Sequence, residues 1–439
     1  MRGKWISAAA LFFLAVVIAV SPVMAEETEE LEEIVVMATP IIDGNIVDSY
    51  GFTSTVVTEE QIRNLNAQDI GTALRRTPGV NISRHNQIGS HGGTEGGAVF
   101  IRGMGVSRPG AEIKTFIDGV PMYQGFFTHP LLDLLSVDTA RAIEVYKSPQ
   151  PQKFGNAFGI INIVPKRHMD KGFQTDVHLS RGNFGTLIQR AEHAGRIGGT
   201  DYYVGQSFRK SDGHREKAGG ELNNYFARMG TELGKHWYIS GLGLISDNFA
   251  WDPGVKGADP LARDGKYETE AGMGSFKLEH DHGVARGRIQ AYLSHGNGKQ
   301  LSRPDGRPDT VWRFQHRGIK AVEELDLWPG GTILAGIDYD VFEGNGGPAA
   351  DRWESPVNRI VSPYFAAHQL IGSKDGLYAI PSAGLRYYSH NRFSSETSPH
   401  AGLIIGYKDN QLHFGYSRGV LYPGLEVVYL SQKVMPALG

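Results

Sequence analysis

Apolar and polar residues alternate without a break in residues 285–294, ARGRIQAYLS. A period of two places successive side chains on opposite faces of a β-strand. The apolar parity comprises Ala285, Gly287, Ile289, Ala291 and Leu293, and the polar parity comprises Arg286, Arg288, Gln290, Tyr292 and Ser294. A soluble sandwich also alternates, but it does not normally direct Arg, Gln and Tyr side chains at its core. The stretch therefore favours a sheet with lipid on one face and water on the other.

The same alternation returns through the C-terminal part of the chain, from about residue 172 onward. It is clearest in Ala401, Leu403, Ile405 and Tyr407, and in Leu412, Phe414 and Tyr416 set against Gln411, His413 and Ser417. Only a closed barrel satisfies every backbone group of a sheet in lipid. We therefore expect a transmembrane antiparallel β-barrel over residues 168–439. Aromatic residues near segment ends are expected in its interface girdles: Trp237, Tyr238, Tyr387 and Tyr388.

The N-terminus has the features of a secretory signal peptide. Arg2 and Lys4 precede an apolar stretch over residues 6–20, and Ala25 ends a small-residue cleavage site. The alternative is a membrane anchor, for which the apolar stretch is short. We expect residues 1–25 to be removed on export.

An acidic run, EETEELEE, opens the expected mature chain and passes directly into IVVMATP at residues 34–40. Such a short extended stretch cannot form a core, but it can add as a strand to the sheet edge of another protein. The alternative is that it forms the first strand of the next domain. Residues 26–49 are thus expected to be a periplasmic segment.

Residues 50–167 read as a small α+β domain. Thr58 and Asp69 are suitable N-caps for two short helices, and TPGV at residues 77–80 ends the second. Extended stretches follow, one of which turns at Asp118-Gly119.

Six short motifs in this region resemble those of TonB-dependent outer-membrane receptors. They are T-x-E-x-I, L-R-x-T-P-G-V, I-R-G-M-G, I-D-G-V-P, I-E-V-Y-K-S-P and F-G-N-A-F-G-I-I-N-I-V-P-K. Each motif alone is weak evidence for the resemblance, but six motifs in the same order are strong evidence. Two departures, Ser148-Pro149 and Phe158-Gly159-Ile160, are consistent with variation within the family.

The resemblance implies that residues 50–167 form a plug inside the barrel of a Gram-negative outer-membrane receptor. The implied TonB box is Glu33, Ile34, Val35, Val36, Met37 and Ala38. It would bind the TonB–ExbB–ExbD energy-coupling complex. Implied latch or structural residues of the plug are Arg102, Gly103, Asp118, Gly119, Glu144 and Gly155. Of these, Arg102 and Glu144 are expected to make charge contacts with the barrel wall.

The strand count does not reach the 22 strands that the resemblance implies. At about 20 residues per strand with its connection, residues 172–439 hold roughly 13 or 14 strands. We therefore expect a C-terminally truncated copy, with an open wall between Phe173 and Tyr416.

The ligand is expected to meet plug loops at residues 84–97, 104–110 and 122–129. Their candidate contacts are His85, His91, Arg108, Tyr123, Phe126, Phe127 and His129. Aromatic rings and Arg suit a ferric siderophore, which is flat and anionic. Haem and cobalamin remain alternatives, although the chain lacks the Asn-Pro-Asn-Leu stretch typical of the family's haem receptors.

Composition excludes several other classes of protein. The 439 residues include no Cys, so no thiolate can serve as a nucleophile or a metal ligand. A formal net charge of −3 argues against a nucleic-acid partner. Neither a Gly-x-Ser-x-Gly elbow nor a His-Glu-x-x-His zinc motif occurs, so we expect no enzyme, cofactor or resident metal. A passive outer-membrane porin is the alternative of another class, but it would lack a plug and a TonB box.

Overall fold

The computed structural model describes residues 45–84, 88, 97–105, 112–123, 125, 134–252, 265–301, 308–350, 352–429 and 431. The expected signal peptide and TonB box lie outside these residues. Within the described ranges, no helix is both long and apolar enough to cross a membrane.

The N-terminal part forms a plug built on a mixed six-stranded sheet. Its elements are β1 (Asn45–Val47), β2 (Thr53–Thr58), α1 (Glu59–Asn64), α2 (Ile70–Leu74), β3 (Val80–Arg84), β4 (Gly97–Ile101), β5 (Ile113–Ile117), β6 (Val120–Pro121), a 3-10 turn (Val137–Thr139), β7 (Ala140–Tyr146) and β8 (Gly159–Pro165). The sheet order is β1-β2-β7-β8-β5-β6, and β3 pairs separately with β4. All pairs are antiparallel except β5 with β8.

Both helix starts follow from their N-cap residues, as predicted. The Gln61 N–H donates to Thr58 Oγ1 at 3.2 Å, and the Thr58 N–H donates to Gln61 Oε1 at 3.0 Å, which is a capping box. The Thr72 N–H donates to Asp69 Oδ1 at 2.7 Å at the start of α2.

The C-terminal part is one large antiparallel sheet, called the wall below. Its strands are β9 (Gly172–Arg181), β10 (Leu187–Ile197), β11 (Thr200–Ser211), β12 (Gly220–Leu233), β13 (Trp237–Asp252), β14 (Gly265–Asp281), β15 (Ala285–Leu301), β16 (Thr310–Trp328), β17 (Gly331–Pro348), β18 (Trp353–Glu354), β19 (Asn358–Gln369), β20 (Ile371–Gly372), β21 (Leu377–His390), β22 (Glu396–Tyr407) and β23 (Asn410–Ser417). A path of 13 strands runs in chain order from β9 to β23, and the short strands β18 and β20 pair beside it. The predicted strand count is confirmed.

The connections of the wall differ in length at its two ends. Connections such as 198–199, 282–284, 329–330 and 408–409 are short, whereas 212–219, 253–264 and 302–309 at the opposite end are longer. Outer-membrane barrels have short periplasmic turns and longer extracellular loops. We therefore name the two ends the periplasmic end and the outer end.

The faces of the wall follow the predicted alternation. Ile289 and Leu293 are 54% and 44% exposed, whereas Gln290 and Ser294 are buried against the plug. The girdle prediction was half wrong. Trp237 and Tyr387 point outward and are exposed, but Tyr238 bonds to Asp201 on the inner face and Tyr388 is buried in the lumen. Consecutive residues of a strand point to opposite faces, so Trp237 and Tyr238 cannot both face lipid, and neither can Tyr387 and Tyr388.

The wall is open in the part of the chain that the structure describes. Its pairing path stops at β9 on one side and at β23 on the other. Phe173 and Tyr416, at these two edges, are 61% and 63% exposed. The expected gap between the edges is present.

The plug packs against the inner face of the wall. Buried plug residues such as Leu134 and Ile143 share one apolar cluster with the wall residues Phe226, Tyr292 and Phe314. This packing fixes which wall side chains meet the plug.

Candidate functional site

Strand register places inward-facing residues of the wall in rows. Lys277, Gln290, Lys320 and Asp338 lie opposite one another across β14, β15, β16 and β17, and we call them the lower row. Tyr292, Gly318 and Asp340 form the upper row, two residues nearer the outer end. Because side chains on one face repeat at every second residue, both rows face the plug.

The lower row contacts the turn that joins β5 to β6. The Lys277 Nζ atom lies 3.0 Å from Asp118 Oδ2, and Gln290 Nε2 donates to the Asp118 carbonyl at 3.1 Å. Asp118 and Gly119 have φ values of +51° and +78°, and Gly accepts such a conformation without steric cost. The turn thus presents both the carboxylate and the backbone of one residue to the wall.

A second plug contact is made by a fully buried arginine. Arg386 Nη1 lies 2.7 Å from Asp338 Oδ2, and their side chains are 0% and 3% exposed. Arg386 Nε donates to the Pro151 carbonyl of the plug at 2.5 Å, and Nη1 donates to Ser362 Oγ at 3.1 Å. The guanidinium also lies 3.9 Å from the ring centroid of Tyr364. The sequence analysis did not identify Arg386. Its only signal in the sequence is that it alternates with Leu385 and Tyr387, which face outward and so place Arg386 on the inner face of β21.

A third contact lies where the plug meets β10 and β11. Arg209 Nη2 lies 2.7 Å from Asp138 Oδ2, and Arg190 Nη1 lies 3.5 Å from Asp138 Oδ1. Burial would raise the pKa of Asp138, but Arg209, a hydrogen bond from Ser136 and Arg190 together hold that pKa below its usual value. The carboxylate is therefore charged at neutral pH.

The upper row depends on a glycine. The Tyr292 hydroxyl donates to Asp340 Oδ1 across the intervening strand, at the level of Gly318. A Cβ on Gly318 would lie 2.7 Å from the Tyr292 hydroxyl oxygen and 2.3 Å from the Tyr339 carbonyl oxygen. Only Gly leaves room for this ring.

A buried lysine of the plug faces the upper row. Lys114 is 3% exposed, and its Nζ donates to the Asn156 carbonyl at 2.5 Å. Burial lowers the pKa of Lys114 to about 7, against the opposing effect of Asp340. The Tyr123 ring lies 5.0 Å from the Lys114 ammonium and 4.7 Å from the His316 ring.

Aromatic residues gather at the outer end of the lumen. The group comprises Tyr267, Trp312, Phe342, Trp353, Tyr388, His390, Phe393, Tyr422 and Tyr429. It is tied to the plug at Asn156, whose side-chain oxygen accepts from the Tyr422 N–H at 2.8 Å. The Asn156 N–H also faces the Tyr388 hydroxyl at 3.4 Å.

Few of the residues predicted to contact ligand can be placed. Tyr123 lies in the plug beside Lys114, as described. His85, His91, Arg108, Phe126, Phe127 and His129 lie outside the described residues.

The charge contacts expected from Arg102 and Glu144 are corrected. Glu144 accepts from Asn162 Nδ2 at 2.8 Å and lies 3.8 Å from Lys153 Nζ, so its partners belong to the plug. Arg102 is exposed, on a turn with a φ of +50°. Asp118 and Asp138, on turns that project toward the wall, make charge contacts with it instead, and so do Lys166 and Arg167 directly after β8.

Of the glycines that the resemblance implies, Gly103 lies on an open turn and Gly155 lies at the contact between the plug and the wall. Gly103 has a φ of +80° and open space around it. Gly155 packs against the wall, where an added Cβ would lie 3.2 Å from Arg386 Nη1. In the described part of the chain, no group of His, Asp and Glu side chains could hold a metal ion.

Comparison with known proteins agrees with this architecture. Residues 47–160 match the family model of the TonB-dependent receptor plug domain. The chain is 26% identical over 204 residues to the vitamin B12 transporter BtuB of Photobacterium profundum, covering 44% of this chain and 32% of BtuB.

Solved structures share the fold at low sequence identity. A ferric enterobactin receptor mutant of Pseudomonas aeruginosa, in complex with enterobactin, is 14% identical, with a TM-score of 0.68 over 87% of this chain and 64% of that one. The FrpB iron transporter of Neisseria meningitidis is also 14% identical, with a TM-score of 0.68, and the match covers 84% of this chain and 66% of that transporter.

The chain spans about a third of the length of the curated relative and under two thirds of the ferric enterobactin receptor. The matched plug domain is that of TonB-dependent receptors, and the fold is shared with solved outer-membrane receptor structures. The chain therefore carries a TonB-dependent receptor plug domain over residues 47–160, and it shares the plug-and-barrel fold of the solved receptor structures.

Proposed function

We propose that the chain serves energised uptake of a ferric siderophore across the outer membrane. The observation that carries this proposal is that charged contacts, beside the apolar packing, join the plug to the inner face of the wall. Asp118 meets Lys277 and Gln290, and Asp138 meets Arg209. Charged contacts can exchange with water when the plug is pulled, whereas a continuous apolar interface could not. Glu33 to Ala38 would receive the pull from the TonB–ExbB–ExbD complex by strand addition.

The chemistry of the upper lumen supports an anionic chelate. Two amines, those of Lys114 and Lys320, face the same cavity as the rings of Tyr123 and Phe342. Ammonium groups attract the negative charge of an iron chelate, and aromatic rings pack against its flat surface. The aromatic group at the outer end extends this surface.

Cobalamin is the second candidate ligand. The likeness to a vitamin B12 transporter favours it, because that likeness extends over 204 residues. Haem has less support, because the Asn-Pro-Asn-Leu stretch typical of the family's haem receptors does not occur in these 439 residues.

Whole-cell uptake can test the ligand class. The chain, joined to the strands that would close the barrel, would be expressed in a Gram-negative host that lacks its own siderophore and cobalamin receptors, with and without TonB. Radiolabelled ferric catecholate, ferric hydroxamate, haem and cobalamin would be offered in turn. We expect TonB-dependent accumulation of one ferric chelate. Accumulation of cobalamin alone would replace the siderophore proposal with the second candidate, and equal accumulation without TonB would indicate a porin.

A further inference from the structure

The chain leaves the wall where β23 ends at Ser417 and turns inward over the plug. Residues 418–424 have no regular secondary structure, and a short helix, α3 (Leu425–Tyr429), follows them. We call residues 418–429 the strap. Val420, Tyr422 and Leu425 are 7%, 7% and 1% exposed, so the strap lies with these side chains buried at the outer end of the lumen.

The strap rests on the plug at two points. The Tyr422 N–H donates to Asn156 Oδ1 at 2.8 Å. Gly419 lies against Pro149 and Phe158, and an added Cβ on Gly419 would lie 2.8 Å from Pro149 Cγ and closer still to the Phe158 ring. One contact is therefore a hydrogen bond to a plug side chain, and the other is a close approach that leaves no room for a side chain.

The strap also reaches two parts of the wall. The Tyr422 hydroxyl donates to the Ser394 carbonyl, in the connection after β21, at 3.0 Å, and the Tyr422 and His390 ring centroids are 4.6 Å apart. Leu425 packs beside Gly344 of β17, where its Cδ1 atom would lie 3.1 Å from an added Cβ. The strap thus bridges the end of β21 and β17 across the plug.

The strap covers the aromatic group at the outer end of the lumen, to which it contributes Tyr422 and Tyr429. Tyr388, Trp312 and Trp353 of that group are 2%, 4% and 7% exposed. Aromatic rings buried to this extent cannot pack against a solute that enters from outside. A solute can therefore reach these rings only when the strap lifts.

The strap is held more weakly than the wall beside it. In the part of the chain that the structure describes, no residue after Ser417 pairs in a strand. The five residues of α3 cannot form a stable helix alone, because isolated helices of fewer than about 12 residues are marginal in water. Segments outside a hydrogen-bonded ladder open more readily than core strands. The strap can therefore lift while the plug and the wall stay folded.

Asn156 is placed to control this movement. Its φ of +53° is a conformation that Asn tolerates better than most residues. Its side chain accepts from the strap, its carbonyl accepts from Lys114 Nζ at 2.5 Å, and its N–H faces the Tyr388 hydroxyl at 3.4 Å. Asn156 thus joins the strap, the plug strand β5 and the wall strand β21.

We propose that the strap is a closing element of the outer lumen, seated over the plug by Asn156 as a positioning residue. When seated, the strap shields the aromatic group from solution, and when lifted it opens that group to a ligand. Closure by the strap does not depend on the identity of the ligand. That a ferric chelate holds the strap open rests on the proposed function.

The test compares two thiol reporters in a chain that has no native Cys. Val420→Cys reports lifting of the strap, and Ala73→Cys, at a position on α2 that is 1% exposed, reports opening of the plug core. The purified full chain in detergent would be labelled with a maleimide, and each rate divided by that of a free thiol. We expect Val420→Cys to label roughly tenfold faster than Ala73→Cys, or more. Equal rates would overturn the proposal, because the strap would then open only with the plug.

Replacing Asn156 tests its role in seating the strap. Asn156→Gly keeps the positive φ but removes the acceptor for the Tyr422 N–H, and loss of one hydrogen bond should raise Val420→Cys labelling roughly 2- to 12-fold. Ala73→Cys labelling should not change. Asn156→Asp is the matched control, because it keeps an acceptor oxygen and tolerates the same φ. No increase with Gly, or the same increase with Asp, would refute the role of Asn156.

Gly419→Ala tests the strap from its other contact with the plug. The added Cβ meets Phe158, so it should unseat the strap and raise Val420→Cys labelling without Asn156 being changed. Gly243→Ala, where the added Cβ meets open space, is the control. Equal rates in the two Ala variants would contradict the seated position of the strap.

The same reporter separates this proposal from the proposed function. A ferric catecholate that occupies the aromatic group should raise the Val420→Cys labelling rate, because it holds the strap open. If the catecholate has no effect while Asn156→Gly still raises the rate, the strap proposal stands and the iron chelate fails as its ligand. A lower rate with the catecholate would mean that it binds over the seated strap, which would refute the closing role.

Discussion

Replacing Arg386 with Met should loosen the plug more than any exposed substitution of similar size. The change leaves Asp338 buried without its cation and removes the donors to the Pro151 carbonyl and Ser362. Removing one partner of a buried ion pair costs about 3–5 kcal/mol. At about 1.4 kcal/mol per factor of ten, the opening equilibrium of this plug region should rise roughly 100- to 4000-fold.

The opening equilibrium can be measured through a buried thiol. Ala157 is 3% exposed in the plug loop that follows Pro151, so Ala157→Cys reports opening of that loop through its rate of maleimide labelling. The reporter alone should label slowly, and Arg386→Met should raise the rate by the factor above. Adding Asp338→Asn should restore much of the protection, because no uncompensated charge then remains.

The matched control is Arg317→Met on the outward face of β16. Arg317 pairs with Glu343 at 2.5 Å, but their side chains are 42% and 30% exposed. An exposed pair contributes about 0–1 kcal/mol, so labelling should rise less than about fivefold. An increase below about tenfold for Arg386→Met, or faster labelling in the double variant, would refute the reasoning.

Three further predictions concern the box, the buried lysine and the upper row. In a receptor with a completed barrel, Val35→Pro with Val36→Pro removes two ladder donors, so energised uptake should be lost while ligand binding at the surface remains. Val35→Thr with Val36→Thr is the control, because Thr keeps both backbone donors, and persistent uptake in the Pro variant would show that the box is misassigned. Because the pKa of Lys114 falls to about 7 on folding, the unfolded chain binds more protons above that pH. Between about pH 7 and pH 10, the thermal midpoint in detergent should therefore rise with pH more in the parent protein than in Lys114→Met. Identical pH profiles of the thermal midpoint in the two proteins would contradict the effect of burial on Lys114. Gly318→Ala should destabilise the protein by about 1–3 kcal/mol through overpacking against Tyr292. Gly243→Ala, with nothing within 4 Å of the added Cβ, should have a much smaller effect in the same thermal scan, and equal effects would refute the steric argument.

The sequence alone determined the wall, its faces and its strand count. Alternation over residues 285–294 placed Gln290 and Ser294 inward and Ile289 outward, and the structure has them so. This was possible because the period of a strand is a local property that needs no knowledge of distant residues. The helix starts at Thr58 and Asp69 are local for the same reason. Six motifs in order also indicated the plug domain.

Only the tertiary structure decided which charged residues join the plug to the wall. Asp118 meets Lys277 across 159 positions of chain, and Arg386 meets Pro151 across 235. Parity shows which face a side chain takes, but pairing also requires the register of every intervening strand and the projection of each turn. Glu144 lies on a plug strand and finds Lys153 nearby, whereas Asp118 lies on a turn that reaches the wall. Charge contacts between two domains are set by such distances in space, which no local pattern encodes.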